Sequence, residues 1–192
     1  MDPSLTIPEL LDLVHRFYPR TLGIPASSSE PTEETQRLHS LRQTALGDSS
    51  AWNSFLLRID NALPGCVTWD VPSLIHDPCR CVRVSLPESP MGAPVQKALV
   101  LLVSILAPIH HIHASFQRFE GGQLAEKHLW SPPLPAEYQA YESTLDALAR
   151  SVFKTTRLPE NVLFTSVPDV QVGHLESGEA KLIHCLFTDR LW

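Results

Sequence analysis

The stretch IHHIHASF at 109–116 carries His110, His111 and His113. In an extended chain His111 and His113 project from one face, and an H-x-H pair of imidazoles is a usable metal chelate. Zinc would require two further ligands. His76, His128 and His184 are the histidine candidates, and nothing in their spacing brings them close. The enzyme such a pair would make is a metal-dependent hydrolase. The competing reading places all three histidines on the polar face of a strand beside the core, and isolated H-x-H pairs arise often without a metal.

Cys79 and Cys81 form a C-x-C on one strand face, with Cys66 upstream and Cys185 alone near the end. A structural zinc site shows two cysteine pairs, or one pair followed by paired histidines. The second pair is missing here. Buried free cysteines behave as small hydrophobes, which accounts for these four. A Ser-His-Asp or Cys-His hydrolase needs a nucleophile, a base and an orienting group in reach. The chain has the residue types but no G-x-S-x-G, Walker motif, G-x-G-x-x-G, H-E-x-x-H or EF-hand loop. His184 and Cys185 are neighbours on an expected strand, so they face opposite ways. Glu33 and Glu34 read as a solvated helix end. The expectation is a chain with no catalytic, cofactor-binding or metal-ligating residues and no cofactor.

The elements that would position these groups follow from periodicity. Ile7, Leu10, Leu11, Val14 and Phe17 step by three and four, which predicts a helix. Thr6 and Glu9 form its capping box, Pro8 is tolerated in the first turn, and Tyr18-Pro19 ends it. A second, surface helix is expected from about 32 to 46, stopping at Gly47, with a thin apolar face of Leu38, Leu41 and Ala45. A third is capped by Ser49 or Ser50 and buries Trp52, Phe55, Leu56, Ile59 and Leu63, until Pro64-Gly65 stops it.

Beyond Gly65 the pattern changes to strands: CVTWDV (66–71), CRCVRVSL (79–86) and ALVLLVSILA (98–107), then 109–116. The second alternates Val82, Val84 and Leu86 with Cys81, Arg83 and Ser85, as a half-buried strand does. The third is apolar on both faces and reads as central. Residues 120–135, with Gly121-Gly122 and SPPLP, read as loop. A helix over 136–154 carries Tyr138, Tyr141, Leu145, Leu148 and Val152 on one face. The tail reads as two short strands, 169–172 and 180–187, joined by a hairpin at ESGE (176–179) in which Gly178 can take positive φ. Helices, then strands, then a helix imply an α+β fold: a mainly antiparallel sheet packed against N-terminal helices and one long helix in the C-terminal half. Residues 1–192 read as a single domain.

The composition of 43% hydrophobic and 19% charged residues is that of a globular protein. A net charge of −6 argues against nucleic acid or an anionic membrane as partner and suits a basic protein. The apolar stretch 98–107 falls well short of the roughly 20 residues of a spanning helix, so no membrane insertion is expected. The opening MDPSLTIPELLDL lacks a basic leader, and a cytoplasmic location with reduced thiols is the expectation.

Aromatic and proline residues punctuate the chain: FYPR at 17–20, EETQRL at 33–38, the Trp52-led helix, VPDV at 167–170 and GEAKLIHCLFTDRLW at 178–192. Together with the cysteine-bearing strand and the apolar strand, this layout resembles bacterial immunity proteins of polymorphic-toxin and contact-dependent competition systems. The resemblance spans most of the chain in order. It implies a cytoplasmic α+β protein, without catalytic residues, that binds a cognate protein toxin and blocks it. The acidic stretches 30–34 and 176–179 are possible contributors to such an interface. An adaptor or chaperone for a secreted effector is a third class with the same composition.

Overall fold

The structure is a computed structural model and describes residues 5–20, 31–89, 92–176 and 178–189. Three helices open the chain: α1 (Ile7–His15), α2 (Glu33–Gly47) and α3 (Ser50–Ala62). The strands β1 (Val67–Val71), β2 (Cys79–Ser85), β3 (Val95–Ser104), β4 (Ile109–Glu120) and β5 (Gln123–Trp130) follow. After them come α4 (Ala136–Phe153), the two-residue β6 (Thr156–Arg157), α5 (Glu160–Leu163) and α6 (Leu182–Leu186). This is an α+β fold.

Successive strands pair antiparallel in the order β1-β2-β3-β4-β5, a meander made possible by short connections. β6 adds to β4 in parallel, with Ile109 opposite Thr156 and His110 opposite Arg157. Side-chain alternation sends one set of residues to each face, and each face has its own core. Val82, Val84, Leu99, Leu101 and Ile112 pack under α3 and α4 with Trp52, Phe55, Ile59, Tyr138 and Leu145. Cys79, Cys81, Val100 and Leu102 pack on the other side with Leu10 and Val14 of α1, Leu163 of α5 and the buried tail residues Ile183, Cys185 and Phe187. Each fully buried aliphatic side chain contributes about 1.5–3 kcal/mol of transfer free energy, so both faces are needed for stability.

The local signals at the first helix hold. Glu9 N–H donates to Thr6 Oγ1 at 3.4 Å, and Thr6 N–H donates to Glu9 Oε2 at 2.7 Å. α2 buries Leu38 alone, as its thin apolar face predicts. Its last carbonyls are met from the sheet: Arg80 donates to Ala45 O and, at 2.7 Å, to Asp48 O, while its guanidinium lies over the Trp52 ring. α3 differs from expectation at its start, since Ser49 makes no side-chain cap.

Three expectations need correction. β2 is not half-buried: Cys79, Cys81, Val82, Val84 and Ser85 are all buried, because helices or tail segments cover both sides of the strand. Residues 123–130 are not loop. Gly121 and Gly122, both at positive φ, make the tight turn that lets the chain fold back as β5 against β4. Exposed polar residues dominate QLAEKHLW, so its alternation is weak. Cross-strand ring contacts of Phe116 with His128 and Trp130, which stack on each other within β5, support it instead. The tail is not a strand hairpin either. Leu182–Leu186 is helical, and among the described residues extended pairing there is confined to the single bridges Arg20 to Val170 and Ser166 to Lys181. A short run that is buried all round carries no period by which sequence separates strand from helix. Gly178 does take positive φ.

Candidate functional site

β4 places the histidines as its alternation requires. His111 and His113 share a face, their rings stacked at 5.6 Å between centroids, and Phe187 lies 6.2 Å from His111. His110 points the other way, where its Nε2 lies 2.9 Å from Asp146 Oδ1 on α4. None sits on a solvated face: the exposures are 0% for His110, 2% for His111 and 4% for His113. Burial drives the His111 pKa down to about 3, helped by the neighbouring His113, Arg157 and His110. Burial also lowers that of His110, against the raising effect of Asp146. Both rings are therefore neutral at pH 7. The neutral His110 gives its Nε2 proton to Asp146 and holds a lone pair on Nδ1, which meets no partner among the described residues and no solvent. That dyad has the orientation of a catalytic base and orienter, but its free nitrogen is sealed from any substrate.

The cysteines are likewise packed. Cys79, Cys81 and Cys185 are fully buried and Cys66 is partly so. Burial pushes the Cys81 and Cys185 thiols up to about 12 and raises Cys79 well above its ordinary value. Thiols so disposed are protonated at neutral pH and are weak nucleophiles. Cys66 packs with the α3–α4 core and not with the C-x-C pair. No group of three or more His, Cys, Asp or Glu side chains that could hold a metal ion occurs among the described residues.

His76 and His184 do come together, but away from the H-x-H pair. They border a cavity of about 420 Å³ between α2, the 73–78 turn and the tail, along with Arg42, Asp77, His174 and Asp189. Arg42 reaches across it to donate to His76 O at 2.6 Å, and Asp189 Oδ2 accepts the His174 N–H at 3.0 Å. His184 Nδ1 accepts the Lys181 N–H, and burial lowers its pKa. These contacts close the tail over the core: Tyr18 donates to Cys185 O at 3.0 Å, and Asp169 holds His15 at 3.0 Å. FYPR and VPDV thus act as anchors that bring α1 against the tail. His128 is remote from this set, stacked between Phe116 and Trp130 on the β4–β5 hairpin and bonded to Glu126.

One surface feature escapes motif reading. Among the described residues β1 is an outer strand of the sheet and pairs with β2 alone. Asp70, on one face, accepts the Trp52 indole N–H at 2.9 Å. On the other, Val67 and Trp69 are 41% and 40% exposed. Their alternation in CVTWDV predicts that they share a face. Only the strand order places that face at an edge. No helix among the described residues is long and apolar enough to cross a membrane. Of the acidic stretches, Glu30 and Ser177 lie outside the described residues, as do Arg190, Leu191 and Trp192. Glu33 is exposed at the start of α2, and Glu176 and Glu179 flank a turn in which Glu176 N–H donates to Glu179 Oε2. The chain matches no protein-family model, no curated protein and no solved structure.

Proposed function

We propose that this chain is a non-catalytic binding protein that neutralises a cognate protein toxin. The observation that carries the reading is the open edge strand β1 with Val67 and Trp69 turned to solvent. Edge strands are ordinarily blunted with charge, proline or a cover, because their free backbone groups template pairing with another chain. Tryptophan is among the residues that most often anchor an interface. Asp70 and the following Pro72 limit that pairing in β1, but Val67 and Trp69 stay partly open on its other face, as a protein-recognition strand requires, and main-chain pairing would supply affinity while the side chains supply selectivity. The net charge of −6 suits a basic toxin by raising the association rate through steering. The immunity class itself rests on the layout FYPR, EETQRL, Trp52 helix and C-terminal tail, and a cytoplasmic site of action belongs with it.

The test is purification of the tagged chain from its native host at moderate salt. The expected result is a stoichiometric complex with a protein whose expression arrests growth and whose toxicity this chain relieves. Trp69→Ser is expected to weaken that complex at least about 10-fold, while the chain stays folded at a stability cost of about 1–3 kcal/mol. A partner that is exported with the help of the chain, and is not inhibited by it, would replace immunity with an adaptor role. Absence of any stoichiometric protein partner would overturn the binding reading.

A further inference from the structure

The register of β4 leaves a gap on its outer side. β5 is paired with Ala114–Glu120 and β6 with Ile109–His110, so no strand residue among the described residues stands opposite His111, Ile112 or His113 there. A cavity of about 310 Å³ opens beside this gap, walled by His111, Pro132, Arg150, Arg157, Leu158 and Glu160. We propose that this cavity binds a small oxyanion, a phosphate or carboxylate group, held by Arg157, Arg150 and a ring N–H of His111.

Three observations converge on this site. His111 is 98% buried, lines the cavity, and makes no hydrogen bond among the described residues. A neutral imidazole has one N–H to give, and leaving such a donor unmet in the interior is unfavourable. The stack with His113 and the tilted contact with Phe187 fix the ring plane, so the donor is preorganised. Arg157 spends its buried Nη2 on the ion pair with Glu142 Oε1, which leaves its Nε and Nη1 donors. Arg150 spends Nε on Asp146 Oδ2 at 2.8 Å, and it is more than half exposed. A guanidinium carries five N–H donors in a fork that fits phosphate and carboxylate oxygens, so both arginines keep donors to spare.

The charges set the expected strength. Arg150 and Arg157 face Asp146, Glu142 and Glu160, so the ion is drawn by directed donors at close range and not by a long-range positive field. A dissociation constant on the order of 1 mM is expected. Exposed Glu160 contributes repulsion at the wall, and its removal should tighten binding.

The experiment is a titration of the full chain, with its histidine rings labelled for NMR, by inorganic phosphate and separately by acetate. Ionic strength is held constant with chloride. The expected result is a saturable shift of the His111 ring signals by at least one of the two. Saturation by phosphate alone identifies a phosphate ligand. Saturation by acetate alone identifies a carboxylate, such as a metabolite acid or an acidic side chain of another protein. Arg150→Gln should weaken binding roughly 5-fold and Glu160→Gln should tighten it roughly 3-fold, both being exposed positions that tolerate change. Arg157→Gln should abolish binding; because Arg157 also balances Glu142, the two surface variants carry the test if that variant fails to fold. His111 signals unmoved by either anion up to about 50 mM would overturn the proposal. So would a shift that neither Arg150→Gln nor Glu160→Gln alters.

Discussion

Replacing His111 with glutamine should flatten the acid dependence of stability. His111 is fully buried on the strand, and its pKa in the folded chain is about 3 against an ordinary 6.5. Below 6.5 the unfolded chain takes up a proton at this position and the folded chain does not. The unfolded state therefore binds more protons, and stability falls as pH falls. The contribution is fully present above pH 6.5, is lost progressively below it, and levels off near pH 3. At pH 4.5 the loss from this one group is roughly 2–3 kcal/mol, two pH units at about 1.4 kcal/mol each. That is a large part of the 5–15 kcal/mol typical of a domain. Urea unfolding of both proteins at pH 7.5 and pH 4.5 measures it. The wild type should lose roughly 2–3 kcal/mol more than His111→Gln across that interval. His110, whose pKa burial also lowers, is present in both proteins, so only its coupling to His111 enters the difference. Equal losses, within about 0.5 kcal/mol, would show that His111 is solvated or paired in solution, and would refute the burial argument.

Other outcomes follow from packing. Trp52, 2% exposed and in ring contact with Phe55 and Phe153, should cost about 3–5 kcal/mol of stability when changed to alanine, read from the urea midpoint. Trp52→Phe, which keeps one six-membered ring but loses the pyrrole half and the bond to Asp70, should cost about 1–3 kcal/mol. Gly173 stands at φ +51, and a Cβ there would fall 1.7 Å from Asp189 Oδ2, the acceptor for His174 N–H. Gly173→Ala should destabilise by roughly 1–3 kcal/mol through strain and loss of that bond, seen as a lowered Tm. Under native conditions a thiol reagent should modify Cys66, slowly because burial raises its pKa, and should reach Cys79, Cys81 and Cys185 only when the chain unfolds. Prompt native labelling of all four would contradict the two-sided core.

How much was legible varies by element. The Thr6–Glu9 capping box, the Trp52, Phe55 and Ile59 stripe, and the Tyr138–Leu145 helix were readable because each is written in neighbouring residues at the helical period. The shared face of His111 and His113 was readable for the same reason, at the strand period. β5 was harder. It is held by Phe116, His128 and Trp130 meeting across a Gly-Gly turn, and such pairing is visible only once β4 is in place. α6 was misread because LIHCL is buried from every side, so no polar face marks its period.

The sequence by itself determined the fold class, the four longer helices, the central strands and which of their side chains share a face. Those are local properties, set by backbone geometry repeating every two or nearly four residues. Tertiary structure alone decided the environments. It buried the histidines, set Asp146 against His110, drew His76 and His184 to a cavity away from His111, and left Trp69 on an open edge beside the solvent. Burial and long-range pairing depend on which distant segments arrive, and a histidine written IHHIH carries no mark of whether water or Phe187 will lie against it.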